Sequence, residues 1–474
     1  MGSCAIYAIG MLKHRFLFVY RWMRSLLSAA VAVVFLLLPG LTTLRDLADP
    51  GVRRPGIPDK AWRMHRYLTP LIQQWARERI ASKRAAHLNL YDVPSTEWPM
   101  FTCVFYLRTT EALQAAWEND HRLSRPAPLN YSRDAVEAAK DLLLDPNHHT
   151  WVRQHWGDDY WHTQNVFFRS LVISGITSYE QLDGRGQYRP LLRDQVDTLS
   201  AALDHSKLGL LEDYPNECYP IDVLAAIAWI KRADELLGID RGEFYARSLR
   251  AFVGAQSDGR GLVPYTVDYL RGRVDEPSRG IGNSHVLMSA TDLWPVQAQI
   301  WYNLYEKHFW QERWWAAGFR EYPRDITNCS WYDVDSGPII DGFSISGNAF
   351  AVAASRVNGR FDHAFTISAQ VLTACWPLPN GLQLGPRTIS LAAGDHAPYL
   401  GESAIMFFLT QNPKEGVHIR TGGHLVGSVY LGLLFYIGFG GLMLWLSIRD
   451  IRRLLREKHP VKNCKEADTN VPRG

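Results

Sequence analysis

The chain has 474 residues, and its 51 Lys and Arg nearly balance its 48 Asp and Glu. Outside the two ends it has no basic stripe with interleaved aromatic residues, which argues against nucleic acid as a partner. Its six cysteines are widely spaced without a Cys-x-x-Cys pair, so neither a zinc site nor a disulfide scaffold is expected. No HExxH motif and no GxGxxG motif followed by a helix is present, and we expect no metal and no other cofactor.

Two long uncharged stretches indicate in which cellular compartment each part of the chain lies. Ser25 to Leu44 and Leu425 to Ile448 carry no charged residue, and each can cross a hydrocarbon core of about 30 Å as a helix. Basic residues precede the first stretch and follow the second: Lys13, Arg15, Arg21 and Arg24, then Arg449, Arg452, Arg453, Arg456 and Lys458. Positive flanks predict a membrane protein with both termini in the cytoplasm.

The resulting division has five parts. It predicts a cytoplasmic segment 1–24, a span 25–44, an external domain 45–424, a span 425–448 and a cytoplasmic basic tail 449–474. In a bacterium the membrane is the inner one and the external domain is periplasmic. The alternatives are a cleaved signal peptide for the first stretch and a buried core helix for the second.

The external domain is predicted to consist almost entirely of helices. Apolar residues at helical spacing, or unbroken apolar runs, predict helices over Lys60 to Ile80, Ser95 to Asn119, Ser132 to Leu144, Asp158 to Ile173, Tyr188 to His205, Ile221 to Leu237, Gly242 to Gln256, Ser284 to Trp301, Phe309 to Phe319, Ser344 to Val357, His363 to Leu372 and Ala397 to Leu409. A strand signal is confined to short pieces such as Gly261 to Leu270. Amphipathic helices alternate with helices that are apolar nearly all round. This alternation predicts an all-α fold, an (α/α)6 toroid, in which six outer helices surround six inner ones. An α-solenoid is the alternative, although no internal repeat is visible.

Polar residues recur just before the predicted inner helices. In a toroid these helix starts meet at one end, so residues far apart in sequence become neighbours. The substrate-binding candidates there are Tyr91, Asp92, Glu97, Trp98, Tyr160, Trp161, Tyr214, Tyr219, Asp341 and Glu402. The stretch Asp333-Val-Asp335 also precedes the fifth inner helix. Each of these side chains alone is more often a helix cap, and only their recurrence points to general acid/base chemistry.

The loop Glu212 to Asp222 has the densest polar sequence. It leads directly into the apolar helix Val223 to Leu237. Unpaired N–H groups at a helix start favour carboxylates and lower the pKa of a thiol. We therefore expect Cys218 to act in catalysis with Glu217 and Asp222, together with His162 and His285 from other helix starts. The alternative is a capping loop in which Cys218 is a small buried apolar residue.

Over residues 89–409 the chain resembles the linalool dehydratase/isomerase-like domain family. The resemblance is carried by Glu97-Trp-Pro-Met-Phe with the following Phe105-Tyr-Leu-Arg, Trp161-His162, Gly175-Ile-Thr-Ser-Tyr179, the stretch Tyr214 to Asp222, Ser344-Ile-Ser-Gly-Asn-Ala-Phe350 and Glu402-Ser-Ala-Ile-Met-Phe-Phe. It implies an (α/α)6 barrel that performs cofactor-free dehydration and isomerisation of a monoterpenoid alcohol.

The resemblance also implies roles for individual residues. His162 matches a family histidine on an inner helix, and Cys218 matches one of two family cysteines. Asp222 falls near the place of the second cysteine, and His285 falls near a family tyrosine. Aromatic faces such as those of Trp98 and Tyr219 would stabilise positive charge on carbon.

Two other classes of function stay open. A sugar-active toroid, such as a glycoside hydrolase, a polysaccharide lyase or an epimerase, would use Glu97, Asp341 and either Glu217 or Asp222 as acid and base. A non-catalytic, membrane-anchored binding domain is the third class. An enzyme acting on a small molecule is favoured, because the acids cluster at the helix starts. The oligomeric state, a homo-oligomer included, is left open.

Overall fold

The structure is a computed structural model that describes residues 2–87, 92–254, 257–327, 329–392 and 394–458. It forms two compact units. One consists of the chain ends, up to Leu44 and from Tyr430 onward, and the other is Arg45–Val429. Both are mostly helical.

The α-helices of the described residues are α1 (Gly2–Val31), α2 (Leu38–Ala48), α3 (Pro50–Arg53), α4 (Asp59–Ser82), α5 (Val93–Thr96), α6 (Trp98–Asn119), α7 (Pro128–Leu143), α8 (Thr150–Trp156), α9 (Val166–Asp183), α10 (Arg189–His205), α11 (Pro220–Leu237), α12 (Gly242–Val253), α13 (Gly280–Leu293), α14 (Pro295–Phe309), α15 (Ile345–Val357), α16 (Phe361–Ala374), α17 (Leu384–Ala392), α18 (Leu400–Thr410), α19 (Gly427–Leu433) and α20 (Gly440–Lys458). Short 3-10 helices cover Arg84–His87 and His121–Leu123, and π-helical turns cover Ala32–Leu37 and Leu434–Phe439.

The strands are short and antiparallel. They form two hairpins and one three-stranded sheet: β1 (Thr266–Asp268) with β2 (Arg273–Glu276), β3 (Trp310–Glu312) with β4 (Ala317–Phe319), and β5 (Tyr332–Asp333) with β6 (Gly337–Ile340) and β7 (Phe343–Ser344).

Two helical stretches are long and apolar enough to cross a membrane. They are Phe16–Ala48 and Gly427–Glu457, and they contain nearly all of the two predicted spans. Within the unit of the chain ends, α1 packs against α20. A Cβ atom on Gly40 would lie 2.8 Å from Ile437, and one on Gly440 would lie 2.8 Å from Leu36. The two glycines therefore allow the helical backbone around Leu36 and Gly40 to approach that around Ile437 and Gly440 closely, as small residues do between membrane helices.

Six largely buried helices form the core of the unit Arg45–Val429. Along the series α6, α9, α11, α13, α15, α18, each helix packs against the next, and α18 packs against α6. The other long helices of this unit, α4, α7, α10, α12, α14 and α16, pack on members of this series or on one another. The predicted contrast between buried and half-exposed helices holds for α9, which is buried along nearly all its length, and α10, which buries one face, whereas α16 is buried along most of its length.

Three predicted helices are wrong in part or in whole. Phe309 to Phe319 forms the β3–β4 hairpin, in which Trp310 pairs with Phe319 and their rings lie 5.0 Å apart. Such cross-strand aromatic pairs favour a hairpin. Ser284 to Trp301 is divided between α13 and α14, because Pro295 lacks an N–H group and starts a new helix.

The third difference concerns Asp158 to Ile173. Helix α9 begins only at Val166 and continues to Asp183, so that residues 158–162 form turns before it. Asn165 at the helix start has a φ of 31°, a left-handed conformation that Asn tolerates better than most residues. The strand signal within Gly261 to Leu270 is confirmed by β1. Gln256, the predicted end of another helix, lies outside the described residues.

Candidate active site

The loop before α11 is held by its own backbone. The Asp213 carboxylate accepts a hydrogen bond from the backbone N–H of Tyr219 at 2.7 Å. The Asp213 N–H donates to the Glu217 carbonyl, and the Glu217 N–H donates to the Tyr214 carbonyl, at 3.0 and 2.9 Å. Asn216, at the tip of this turn, has a φ of 70°. These hydrogen bonds fix the backbone that carries Tyr214 and Glu217, and Asp222 follows in the first turn of α11.

Tyr214 connects this loop to the start of α6. Its hydroxyl donates a hydrogen bond to the carboxylate of Glu97, which precedes the first residue of α6. The Tyr214 ring packs against Phe167 at 5.9 Å and Trp151 at 6.5 Å. The packed ring holds the hydroxyl against Glu97, so the pair is positioned before any ligand binds.

Asp222 and His285 form a second pair, between the first turn of α11 and α13. The His285 Nδ1 atom lies 3.5 Å from the Asp222 carboxylate. The imidazole packs near Phe350, with ring centres 5.7 Å apart. Burial, and next the charge of Arg108, lower the pKa of His285 to about 4, so the ring is neutral at neutral pH.

Two further tyrosine–carboxylate pairs lie beside these. The Tyr265 hydroxyl donates to Asp335, and the Tyr219 hydroxyl donates to Glu217 at 3.2 Å. The rings of Tyr219 and Tyr265 meet edge to face at 5.5 Å. The sequence places Asp335 before an inner helix, but nothing in the pattern around Tyr265 indicates a site residue.

Burial, together with the mutual repulsion of these acids, raises their pKa values. Burial raises the pKa of Glu97 to about 8, against the hydrogen bond from Tyr214 and with further increases from the charges of Asp335 and Asp222. Burial and the charge of Asp335 also raise the pKa of Asp222. Burial, followed by the charge of Asp222, raises the pKa of Asp213 well above its usual range. The site therefore holds protonated carboxylic acids near neutral pH, which is the requirement for a general acid.

The raised pKa of Glu97 makes stability depend on pH. A carboxyl whose folded pKa of about 8 exceeds its ordinary 4.5 stabilises the fold fully below about pH 4.5, and this contribution disappears as the pH rises to about 8. The resulting decrease in the free energy of unfolding is on the order of a few kcal/mol, and we expect Glu97→Gln to remove this pH dependence. Apparent melting temperatures across this pH range measure it. Glu118→Gln, an exposed carboxylate of α6, is the control and should leave the wild-type slope unchanged.

Cys218 does not have the lowered pKa that the sequence predicts. Its side chain is 2% exposed and belongs to the apolar core. Burial, followed by the charges of Asp213 and Asp222, raises the pKa of the thiol. Helix α11 begins at Pro220, beyond Cys218, and the surrounding carboxylates outweigh any effect of the helix start. The prediction of a thiol activated by the helix start is therefore wrong.

Alkylation rates should reflect this difference. At neutral pH we expect Cys218 to react far more slowly than Cys329, which is partly accessible, because only the thiolate is nucleophilic. Peptide mapping after timed exposure to iodoacetamide measures both sites in one sample. Equal rates at the two cysteines would contradict the raised pKa and burial of Cys218.

His162 lies at the surface. Its ring nitrogens contact Asp159 at 2.9 Å and Asp194 at 3.2 Å, and 46% of its side chain is exposed. The hydrogen bond to Asp159 is the main cause of the raised pKa of His162. Among the described residues, none of its contacts leads to Cys218 or His285. The expected grouping of the three residues is not found, because α9 begins after His162 and leaves it in a surface turn.

Tyr160 and Trp161 form an aromatic cluster away from the paired acids. Both rings pack around His149, whose Nδ1 lies 3.2 Å from the Tyr160 hydroxyl. His148 and His149 are buried although their surrounding sequence is polar, and each is 1% exposed. Their Nε2 atoms contact the backbone carbonyls of Thr96 and Leu143, both at 2.8 Å. The predicted binding residues Tyr160 and Trp161 are thus packed against a structural histidine.

The remaining predicted site residues are dispersed. Asp341 pairs with Arg313 at the surface, 3.2 Å apart. Glu402 is fully buried, 3.7 Å from Arg387, and burial raises its pKa. Asp92 accepts backbone hydrogen bonds at the start of α5, and Trp98 is half-buried at the start of α6. Tyr91 lies outside the described residues.

Aromatic side chains to which the sequence analysis assigns no role form an apolar wall. Phe105 stacks on Phe407 at 5.1 Å and lies 5.6 Å from Phe101 and 6.3 Å from Phe350. Phe101 and Phe350 keep partly accessible surface. These rings lie where α6 packs against α18 and α15 packs against α18. Apolar residues at helical spacing also occur in an ordinary hydrophobic core, so the sequence pattern alone does not identify this wall. Only the ring contacts in the structure do so.

The fold and the site together describe a mostly helical protein with a cluster of tyrosine-bonded carboxylates and two helices able to span a membrane. Within the described parts of the chain, no group of three or more His, Cys, Asp or Glu side chains could hold a metal ion. A scan against protein-family models and a search of curated proteins find no significant match to this chain.

Proposed function

We propose that the chain is a membrane-anchored enzyme of the linalool dehydratase/isomerase-like type, which removes water from a terpenoid-like alcohol or isomerises it without a cofactor. The observation that carries the proposal is Glu97, whose carboxyl has a pKa of about 8 and is held by Tyr214. At neutral pH this acid is mostly protonated and can donate its proton to a leaving hydroxyl.

The proposed reaction needs one acid and one base. Glu97 donates a proton to the hydroxyl, the C–O bond breaks and water leaves. Positive charge then develops on carbon beside Phe101, Phe105 and Phe350, whose ring faces stabilise it. Asp222, when ionised, takes a proton from the adjacent carbon, and the C–H electron pair forms the new double bond. The raised pKa of Asp222 makes it a stronger base than an ordinary aspartate.

The (α/α)6 toroid is part of the proposal. The neighbour series α6, α9, α11, α13, α15, α18, which returns to α6, supports an inner ring. Outer helices such as α7 and α10, each packed on two members of that series, support an outer ring. In this arrangement the starts of α6 and α11 meet at one end, as the hydrogen bond between Tyr214 and Glu97 requires.

We also propose that both termini are cytoplasmic and that the unit Arg45–Val429 is external. The two apolar helices and their basic flanks support this topology. A reporter that is active only outside the cytoplasm, fused after Gly474, should be inactive. Activity of that fusion would overturn the topology.

The catalytic proposal is tested with the purified full chain and a panel of substrates. Allylic and tertiary terpene alcohols should yield an alkene and water, or a rearranged alcohol, detected by gas chromatography. Cleavage of oligosaccharides from the same panel, without conversion of the alcohols, would overturn the proposal in favour of a sugar-active enzyme. Tight binding of a panel member without turnover of any would favour a binding domain.

A further inference from the structure

We infer that Arg108 binds an oxyanion, a carboxylate or a phosphate, at the far end of an apolar substrate whose hydroxyl meets Glu97. The inference rests on the proposed function for the identity of the site but concerns a different group of the substrate. Arg108 lies on α6 on the same face as Phe101 and Phe105, and its side chain keeps partly accessible surface.

The charges of Glu111 and Asp292 act on Arg108, but neither acid forms an ion pair with it in the described part of the chain. Among the described residues, its guanidinium makes a ring contact but no hydrogen bond and no ion pair. The nearby acid Glu111 is already used, since it accepts hydrogen bonds from Arg232 at 2.7 and 2.8 Å and from Ser178 at 2.6 Å. An enclosed cation without a partner is costly, and a ligand anion would remove that cost.

The surroundings leave the guanidinium donors free for a ligand. The Cζ atom of Arg108 lies 4.7 Å from the centre of the Phe407 ring, a cation–π contact that uses none of its five N–H donors. Arg232 adds a second charge, and its Nη1 atom is buried without a hydrogen-bond partner among the described residues. Burial, followed by the charge of Arg232, lowers the pKa of Arg108 to about 9, so it stays charged at neutral pH. The charges of Glu111 and Asp292 act in the opposite direction, but Glu111 is bound to Arg232 and Asp292 is paired with Lys414 at 2.9 Å.

The position of Arg108 along α6 sets the shape of the ligand. Arg108 follows Glu97 by three helical turns, which places the two side chains on one face with a rise of about 16 Å between their Cα atoms. Phe101 and Phe105 lie between them on that face. The face therefore matches an elongated apolar molecule with a hydroxyl at one end and an oxyanion at the other. A neutral terpene alcohol would leave Arg108 unpaired.

The test compares binding of three probes with one apolar part: geraniol, geranic acid and geranyl phosphate. Affinities for the full chain in lipid nanodiscs are measured by tryptophan fluorescence. We expect at least one anionic probe to bind about 10-fold or more tightly than geraniol. Arg108→Gln should abolish this preference without weakening geraniol binding, whereas Arg108→Lys should retain part of it. The better of the two anions distinguishes a carboxylate from a phosphate ligand.

Control variants separate the inference from the proposed function. Arg122→Gln removes an exposed guanidinium just beyond α6 and should keep the wild-type preference. Glu97→Gln should also keep the preference for anionic probes, so anion binding persists in a variant that has lost turnover. Equal affinity for the three probes, no binding of any, or an anion preference that survives in folded Arg108→Gln would overturn the inference. Circular dichroism establishes that each variant is folded.

Discussion

Replacing Glu97 by glutamine should lower turnover of the terpene alcohol about 10²- to 10⁴-fold, the usual contribution of a general acid. Glutamine keeps the shape and can still contact Tyr214, but it has no proton to donate to the leaving hydroxyl. Wild-type activity should fall as the pH rises through about 8, because Glu97 then loses its proton. Initial rates of alkene or rearranged alcohol formation, measured across this pH range, give both results.

Glu118→Gln is the matched control, because it makes the same change at an exposed position of α6. It should leave both the rate and the pH profile at their wild-type values. If Glu97→Gln retained full turnover while the wild type is active, another residue would be the acid. Full activity above pH 8 would likewise contradict Glu97 as the proton donor.

Arg356→Ala should lower the free energy of unfolding by about 3 to 5 kcal/mol, the largest stability effect that we expect from a single charged side chain. The guanidinium is fully buried and donates to the carbonyls of Gln411, Gly51 and Gly56 at 2.8, 2.8 and 2.6 Å. Alanine would leave these carbonyls without donors and open a cavity. Denaturant unfolding of the purified chain, followed by circular dichroism, measures the change.

The control is Arg122→Ala, because 90% of the Arg122 side chain is exposed and its ion pair with Asp120 lies at the surface. It should not change stability measurably. Arg356→Lys separates charge from geometry. A lysine keeps the positive charge but cannot reach three carbonyls in the plane of a guanidinium, so it should recover only part of the loss. A stability of Arg356→Ala equal to that of Arg122→Ala would contradict the assigned role of the Arg356 hydrogen bonds.

Much of the helical fold follows from local pattern. Helices such as α10 and α11 begin and end close to the predicted residues, because apolar spacing and nearby prolines act over a few residues only. The β3–β4 hairpin could not be foreseen in this way. The apolar residues within Phe309 to Phe319 read as a helix, and the pairing of Trp310 with Phe319 is stabilised by His363, whose ring stacks on Trp310 at 3.9 Å from a distant helix.

The candidate site was predictable only in outline. Glu97, Tyr214 and Asp222 are expected from their places at helix starts, and the structure brings them together with His285. His162 fulfils the same local rule but lies at the surface. Tyr265 and Arg108 are not predicted as site residues, since neither lies at the start of a predicted inner helix. A rule based on helix starts identifies polar residues, but it does not say on which side of the helix they lie.

By itself the sequence determined the mostly helical class, the two apolar helices able to span a membrane and the polar character of the loop before α11. These properties depend on composition and on spacing within one element. Only the tertiary structure decided the pKa values of the site residues. The pKa of Cys218 is raised first by burial and then by nearby carboxylates, and that of Glu97 is raised first by burial and then by the charges of Asp335 and Asp222, which come from elements far along the chain. Coulombic and burial effects depend on distance and enclosure in three dimensions, whereas the influence of a helix start fades within one turn.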